Sequence, residues 1–492
     1  MPAYTLELVV FGLGLAMLLV EAFVKLDDKR SLAWLGMLGL LIAFGLLFKV
    51  EPHGADDASV FWSFYSDDRT SLFYKGIALL TGIVVLLMAV DYRTIVNRFT
   101  APGEKNASEE AGVGEFYILP VFACGSLMCM ASANNLVSIF VSLEAVTITF
   151  YIMVAYLRRN VGSLEAGVKY LILGALSTGF LVYGFAWLYG VTGSMDLAEI
   201  GAALNSGEVN ETAALFSFAL ILVALGFKVG AAPFQLWIPD VYQGAPTPIT
   251  AFLSVASKAA GFVVLLRVSK LFLESTAGEL SAHAAMAFAV IAGLTLLYGN
   301  LAAIPQTNFK RLLAYSSIAH AGFLLAAIAA APSEEGSMSV FHVVGFYLGA
   351  YLLMTLLAFM VVGLVRVHRD SEEIDAYRGL AKNSPFLALV LLISMASLAG
   401  VPLTAGFFGK FFVFQLVVQQ QMWLLLALVV IGAAAGFYYY LKVAAAMFWQ
   451  EPKDASAAAI PVSGVSKVVM IALIVLIIAA GFAPGLILGL LR

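Results

Sequence analysis

The amino-acid sequence predicts an all-α polytopic membrane protein, and both its composition and the spacing of its apolar runs support this fold class. Of the 492 residues, 62% are hydrophobic and only 12% are charged, and the mean hydropathy is +0.96. Soluble globular domains contain about 25% charged residues. Apolar runs near the roughly 20 residues that cross a bilayer recur along the whole chain. We therefore expect a protein that passes through the membrane many times.

The apolar runs divide into about 14 predicted transmembrane helices. The first run contains Glu7 and Glu21 and lacks both a basic leader and a small-residue cleavage site, so we expect a retained helix rather than a signal peptide. The predicted spans lie near residues 4–24, 32–50, 71–91, 116–132, 135–157, 164–190, 213–232, 248–272, 283–302, 306–331, 341–366, 385–415, 422–449 and 465–490.

The basic residues of alternate loops predict the orientation of the chain. Because basic loops face the cytoplasm and the number of spans is even, both termini are expected on the periplasmic side of a bacterial inner membrane, although the sequence also permits an organellar membrane. The polar segment Asn97–Gly114 is expected to be a mobile cytoplasmic loop. The basic loops contain Lys25, Lys29 and Arg30; Arg93, Arg98 and Lys105; Arg158 and Arg159; Lys310 and Arg311; Arg366, Arg369, Arg378 and Lys382; and Lys453.

The sequence offers no sign of a cofactor, a metal site or a nucleic-acid partner. A net charge of −4 and a pI near 5.8 argue against binding to nucleic acid. Cys124 and Cys129 lie five residues apart, on different faces of a helix, and are interpreted as inert apolar side chains. The spacings typical of nucleotide, haem and iron–sulfur sites are missing from the sequence. We expect this chain to bind no cofactor and to carry no electrons.

A lysine beside a predicted helix break is the first unusual feature of the chain. A charged side chain at the centre of a bilayer costs about 2.5–3.5 kcal/mol on insertion scales. Lys228 lies between Gly226 and Gly230, and Pro233 follows, so its helix should end close to the lysine. A broken helix exposes backbone polar groups, which are tolerated only inside protein or beside a water-filled cavity. This stretch therefore predicts a buried amine that can handle protons.

A second break and two further lysines extend the pattern. Lys410 follows Pro402 in a glycine-rich stretch and is again expected beside a broken helix. Lys258 lies too deep in its span to reach the membrane surface easily. Lys169 lies closer to a span end, so reaching the surface is a competing interpretation. Lys75 and Lys442 are expected to extend to the membrane surface.

Two other titratable residues lie inside predicted spans. For Glu144, an ion pair with Lys228 is favoured over a structural hydrogen bond to Ser142 or Thr147, because a lone carboxylate in lipid would be neutral or paired. For His320, a role as a proton relay competes with a role in packing. The near-neutral reference pKa of histidine favours the relay.

The order of the spans predicts four parts: an N-terminal three-helix segment with its cytoplasmic loop (1–114), a first five-helix repeat (115–272), a second (273–450) and a C-terminal helix (451–492). An odd number of spans per repeat requires that the two repeats be inverted. Inverted repeats with broken helices are typical of transporters. The matching pairs lie on the second helices (Glu144 and His320), on the fourth, broken helices (Lys228 and Lys410) and on the fifth helices (Lys258 and Lys442).

The run GFKVGAAPFQLWIPDVYQGAPTPITAFLSVASKAAG resembles the antiporter-like membrane subunits of respiratory complex I. The runs FKRLLAYSSIAHAGF and GVPLTAGFFGKFF also fit this family, and the resemblance covers essentially the whole chain. The motif PDVYQGAPTP differs from the corresponding motif in the L and M types of these membrane subunits. The lysine at position 410 differs from the glutamate of the M type, and the sequence shows no long lateral tail of the L type.

The resemblance implies a proton-translocating subunit of NADH–quinone oxidoreductase, driven by quinone reduction in partner subunits. It implies an ion pair between Glu144 and Lys228, and a polar axis through Lys258 and Lys410. Lys169 and His320 are implied as further members, whereas Gln235 stands where relatives often have a titratable histidine. Quinone, NADH, FMN and iron–sulfur clusters are expected elsewhere in the complex, and the other membrane-arm subunits, lipid and protons as partners.

Three other functions compete with this interpretation. A subunit of an Mrp-type cation/proton antiporter or of a membrane-bound hydrogenase would share the fold and the lysine–glutamate pair. A membrane-arm scaffold that moves no protons would have no use for charges at two broken helices. An independent secondary transporter would need a polar substrate pocket, which the sequence does not indicate.

Overall fold

The computed structural model describes residues 2, 4–26, 28–52, 64–100, 112–276, 279–331, 338–452 and 458–491. Across these ranges the regular secondary structure is helical, and 13 segments are long and apolar enough to cross a membrane. Two shorter apolar helices, Pro385–Ala399 and Ala405–Gln419, occupy the span predicted near 385–415. The all-α class is confirmed. The 13 segments, together with this interrupted one, agree with the prediction of about 14 spans. The inverted relation of the two repeats stays a prediction.

The first half of the chain contains twelve α-helices in its described residues. The N-terminal segment holds α1 (Thr5–Phe23), α2 (Arg30–Leu47), α3 (Arg69–Asp91) and the short α4 (Arg93–Thr100). The next unit holds α5 (Val113–Ser132), α6 (Leu136–Val154), α7 (Val161–Thr192), α8 (Leu197–Asn205), α9 (Glu211–Val229), α10 (Ile238–Gly244), α11 (Thr247–Phe252) and α12 (Lys258–Leu273).

The second half continues with nine α-helices and one short 3₁₀ helix, Ile374–Tyr377, in its described residues. The predicted last span near 465–490 is interrupted before Pro484, which cannot supply a backbone N–H to a continuing helix. These helices are α13 (Leu280–Ala303), α14 (Phe309–Ala329), α15 (Val340–Arg369), α16 (Leu380–Asn383), α17 (Pro385–Ala399), α18 (Ala405–Gln419), α19 (Trp423–Trp449), α20 (Gly464–Phe482) and α21 (Gly485–Leu491).

Both predicted helix breaks are present, and each begins at a glycine in the left-handed conformation. Gly230 ends α9 with φ +84°, and Gly400 ends α17 with φ +89°. A Cβ atom on Gly230 would lie 2.3 Å from Ile238 Cδ1, so another residue would be both strained and crowded there. The two breaks therefore depend on glycine for their backbone geometry.

Protein groups satisfy part of the backbone that the first break exposes. The Trp237 indole N–H donates to the Phe227 carbonyl at 2.9 Å, near the end of α9. The Ala232 N–H donates to the Thr295 hydroxyl of α13, also at 2.9 Å. These bonds compensate for lost helical hydrogen bonds in a region without bulk water. They also fix the position of the break relative to α13.

Two spans form the centre of the structure. Each of the spans 247–273 and 309–329 contains an 18-residue stretch that is completely buried within the chain. The first is α11 and α12 joined by a π-helical turn, Leu253–Ser257, which ends immediately before Lys258. Such turns occur frequently at functional sites. The second span is α14, which carries His320.

The structure corrects two expectations about lysines near span ends. Lys75 was expected to extend to the membrane surface, but its side chain is fully buried and lies 2.8 Å from a carboxylate oxygen of Glu7. Lys310 was assigned to a cytoplasmic loop, but it is buried and donates to the carbonyls of Gln243 and Ala245. Both ammonium groups find partners on other helices, which the distance to the nearest span end does not reveal.

The expected mobile loop at Asn97–Gly114 is also only partly correct. Helix α4 continues through Thr100, and α5 begins at Val113. The centre of the expected loop, including Lys105, lies outside the described residues, as does Lys453.

Candidate functional site

Four titratable side chains of the central helices are almost completely buried. Lys228 lies in the last turn of α9, Lys258 begins α12, His320 lies in α14 and Lys410 lies in α18. None of the four residues is more than 6% exposed. We call these four residues the central row. Buried ionisable groups in a membrane protein are costly and mark proton or ion paths more often than structural sites.

Lys228 is the member of the row whose charge is least compensated. Its ammonium group is buried and has no hydrogen-bond partner. It lies in the last turn of α9, where the partial negative charge of the helix C-terminus favours a cation. Beside it is a cavity of about 10 Å³, lined also by Thr147 and Thr178, which is close to the space of one water molecule.

Glu144 lies near Lys228 but does not contact it. The Thr178 hydroxyl of α7 donates to a Glu144 carboxylate oxygen at 2.7 Å, and the structure contains no ion pair between Glu144 and Lys228. The direct pair that the resemblance implied is therefore not formed in this structure, because Thr178 holds the carboxylate. The two hydroxyls first considered as partners, Ser142 and Thr147, donate to backbone carbonyls of α6.

Lys258 is the next member of the row. The helix that begins at Lys258, α12, packs against the Lys228 side chain. A Cβ atom on Gly261, one turn after Lys258, would lie 3.2 Å from Lys228 Cγ. The Lys258 ammonium donates to both the hydroxyl and the carbonyl of Ser317 at 2.5 Å. The Ser317 hydroxyl also lies 3.2 Å from the Tyr242 hydroxyl. Ser317 therefore joins Lys258 to α14.

His320 lies one helical turn after Ser317, on the same face of α14. Its Nδ1 atom lies 2.7 Å from the Tyr347 hydroxyl, and its Nε2 atom lies 3.1 Å from the Tyr440 hydroxyl. The Tyr440 hydroxyl also contacts the Ser316 hydroxyl. Both ring nitrogens thus have a partner that can donate or accept a proton, which suits a relay as well as it suits packing.

Lys410 completes the row at the second break. Its ammonium donates to the carbonyl of Ala399, the last residue of α17, at 2.8 Å. It also lies 5.2 Å from the centre of the Phe323 ring. The Tyr347 ring packs against Gly409, the residue before Lys410. Tyr347 therefore forms a hydrogen bond with His320 and lies beside the turn of α18 that carries Lys410.

The hydroxyl groups between the titratable residues were not identified from the sequence. Tyr347 and Tyr440 lie in apolar helices and look like ordinary core aromatics, and Thr178 acts across two helices. Ser317 could have been found, because it precedes His320 by three residues and so shares its face. Among the described residues, no three His, Cys, Asp or Glu side chains are grouped so that they could hold a metal ion.

Lys169 lies apart from the central row, at the edge of a polar cavity of about 620 Å³. Its side chain is 42% exposed and forms ion pairs with Glu165 and Asp240, both at 2.7 Å. Arg311 pairs with the other oxygen of Asp240 at 2.8 Å. Of the two interpretations of Lys169, the structure favours the exposed one. No pattern in the sequence singles out Asp240.

Two other residues from the sequence analysis are also placed. The Lys442 ammonium donates to the carbonyls of Ile304 and Gln306 beyond the end of α13, and is partly buried. It makes no contact with the central row. Gln235 is buried in the first break, and its side-chain oxygen has no hydrogen-bond partner.

Comparison with known proteins places this architecture in one family. The family described as NADH:quinone oxidoreductase/Mrp antiporter, TM, matches residues 133–436. NADH-quinone oxidoreductase subunit N of Heliobacterium modesticaldum is 39% identical over 98% of this chain and 96% of the relative. The subunit N of Desulforamulus reducens is 38% identical over 98% of this chain and 95% of the relative.

Solved structures give the same result. A chain of respiratory complex I from Thermus thermophilus is similar at 32% identity with a TM-score of 0.78, over 98% of each chain. A chain of the Mrp complex from Dietzia sp. is similar with a TM-score of 0.79, over 99% of this chain and 95% of the other. At 18% identity, the Mrp similarity shows the fold alone.

We expect the lysines to differ in chemical reactivity as their burial differs. In vesicles that expose the basic loops, a membrane-impermeant amine reagent should modify Lys169 but not Lys258 or Lys410. Peptide mass spectrometry measures the modified fraction, and Lys382, whose side chain is 57% exposed, is the positive control. Modification of Lys258 as fast as Lys169 would contradict the burial of the central row.

Proposed function

Since the chain belongs to the NADH:quinone oxidoreductase and Mrp antiporter family, and within it to the N subunits of NADH–quinone oxidoreductase, we propose that its central row carries protons across the membrane. The chain is a multi-pass membrane subunit of a proton-translocating enzyme complex. The observation that supports the proposal is the row of buried titratable groups from Lys228 to Lys410, in which hydroxyl groups contact both Lys258 and His320.

The position of Glu144 is the proposed control of the proton on Lys228. At about 4 Å, two opposite charges attract by roughly 4 kcal/mol at an effective dielectric constant of 20. A proton that crosses 100 mV needs about 2.3 kcal/mol. Moving the Glu144 carboxylate into and out of contact with Lys228 therefore changes the energy of the ammonium by enough to load and release a proton. Thr178 holds the carboxylate in the separated position.

From Lys228 the proton would pass laterally through the second half of the chain. Lys258 receives it, the hydroxyl of Ser317 lies within hydrogen-bond distance, and His320 follows one turn later. Tyr347 lies between His320 and the helix turn of Lys410, which would release the proton. Each step uses a group that can both accept and donate a proton. Lys169, beside the polar cavity, would supply protons from the side of the basic loops.

The energy for these movements would come from quinone reduction in partner subunits. Quinone, NADH, FMN and iron–sulfur clusters are proposed to lie elsewhere in the complex, and this chain to bind none of them. We place the chain in a bacterial inner membrane, with basic loops in the cytoplasm and both termini in the periplasm. Its neighbours would be lipid and other membrane-arm subunits, which suits the exposed leucines of α1 and α2.

The scaffold function is the alternative that the experiments must separate. A buried charge contributes little to stability, and replacing a buried ion pair by apolar residues is often neutral or stabilising. A scaffold would gain nothing from keeping an uncompensated ammonium group such as that of Lys228. The relatives at 38–39% identity are N subunits of NADH–quinone oxidoreductase, so the Mrp-type alternative has only fold similarity in its favour.

Replacement of either residue at the control point should stop proton transport. Lys228→Ala and Glu144→Ala should strongly reduce acidification of vesicles that are supplied with NADH and quinone, while the complex still assembles. Lys228→Arg should fail equally, because a guanidinium group does not deprotonate in proteins. The acidification per NADH oxidised is the measured quantity. Wild-type values in Lys228→Ala and Glu144→Ala would refute the proposed function.

Removal of the last amine of the row should have the same effect. Lys410→Ala should lower acidification per NADH oxidised because the proton loses its last buried carrier. Lys382→Ala is the matched control, since Lys382 is exposed and pairs with Glu451 at 2.7 Å. If Lys410→Ala pumps as well as Lys382→Ala, the proton does not leave through the second break.

A further inference from the structure

A buried ion pair in the N-terminal segment has no part in the central row. The Lys75 ammonium lies 2.8 Å from a Glu7 carboxylate oxygen, and the side chains are 0% and 6% exposed. Such a pair adds little stability, because desolvation of the two charges offsets their attraction. Ionisable residues inside membrane segments are rare and mark functional sites by default. The pair therefore calls for an explanation other than stability.

Tyr65 connects this pair to the surface of the protein. Its hydroxyl lies 3.2 Å and 3.3 Å from the two Glu7 carboxylate oxygens and also contacts the Lys75 ammonium. The ammonium lies 4.6 Å from the centre of the Tyr65 ring. Tyr65 is only half-buried and belongs to the segment that precedes α3. Three titratable groups thus form a closed set of hydrogen bonds, of which Tyr65 is the outermost member.

The cluster lies at the end of the bundle opposite the first basic loop. Glu7 is in the first turn of α1 and Lys75 in the second turn of α3, and α2 returns the chain between them. Lys29 and the rest of the first basic loop follow the other end of α1. The positive-inside rule therefore places the cluster near the non-cytoplasmic surface.

Other groups link the cluster to the rest of the chain. Arg267 of α12, the helix that begins at Lys258, pairs with Asp68 at 3.1 Å and donates to the Ser71 hydroxyl. Tyr65 lines a cavity of about 410 Å³ that continues along α6 past Ser142 to Ala145, the residue after Glu144. The other titratable groups that face the cluster are Cys129 of α5 and Asp67.

We propose that Glu7, Tyr65 and Lys75 form a second proton-binding site, which exchanges protons with water at the non-cytoplasmic surface. The inference rests on the proposed proton transport by this chain. Within the site, Lys75 gives a proton to the Tyr65 oxygen as the Tyr65 proton moves to Glu7. One N–H bond breaks, one carboxyl O–H bond forms, and the tyrosine is unchanged. The Glu7 and Lys75 pair has zero net charge before and after, so the transfer buries no new charge.

Tyr65→Phe is the sharpest test, because it removes the hydroxyl that connects the pair to water at the surface and leaves the contact between Glu7 and Lys75 in place. In the complete oxidoreductase in vesicles, Tyr65→Phe and Glu7→Gln should each lose acidification per NADH oxidised. Tyr156→Phe is the matched control for the hydroxyl, since Tyr156 donates to a backbone carbonyl of Gly112. Glu21→Gln is the matched control for the carboxylate, since Glu21 pairs with Lys29 at 2.5 Å. Both controls should retain wild-type acidification.

The outcomes separate this site from the central row. Wild-type acidification in Tyr65→Phe overturns the second site, and it does so alone if Lys228→Ala is defective in the same assay. If Lys228→Ala is also wild type, the proposed function fails as well. If Glu7→Gln prevents assembly, Tyr65→Phe still decides. A loss in Tyr65→Phe that Tyr156→Phe matches would show a general effect of removing a hydroxyl and would also overturn the site.

Discussion

The protein must keep an ammonium group inside a low-dielectric interior without a counter-ion in contact, and the rest of the structure follows from this constraint. Lys228 has no hydrogen-bond partner, and Lys410 has a single backbone carbonyl. Lys228 lies in the last turn of α9, and the Lys410 ammonium reaches the last carbonyl of α17, so the partial negative charge of a helix C-terminus replaces part of the missing counter-charge in both cases. A carboxylate in permanent contact would hold the proton on the lysine too firmly for transport. Without any compensating charge, the buried lysine would lose its proton. The broken helix supplies an intermediate environment.

The helix breaks in turn require glycine at their first residue and tightly packed neighbouring helices. Gly230 and Gly400 take left-handed conformations that a larger residue would strain. The two most deeply buried spans, 247–273 and 309–329, then set the spacing of the row. Lys258 follows a π-helical turn, and His320 lies one turn beyond the serine that Lys258 binds. The polar groups are thus held on helices, where their positions are more exact than on loops.

The helix breaks could be predicted from the sequence, but the partners of buried groups could not. Apolar runs interrupted by Gly and Pro located Lys228 and Lys410 and both breaks correctly. The contact of Glu144 with Thr178 could not be foreseen, because it joins residues 34 positions apart on two helices. The burial of Lys75 and Lys310 could not be foreseen either. Each lies near a span end, yet partners from other helices keep it buried. A linear pattern reports how far a residue lies from a helix end and says nothing of what covers it.

The central claim is that a buried lysine gives up and regains a proton during turnover. Isotope-edited infrared difference spectroscopy of the complete oxidoreductase, with labelled lysine and NADH as the trigger, measures this directly. We predict a reversible change in the lysine ammonium bands that is lost in Lys228→Arg. A lysine spectrum that stays constant while the enzyme turns over and acidifies the vesicles would contradict the account.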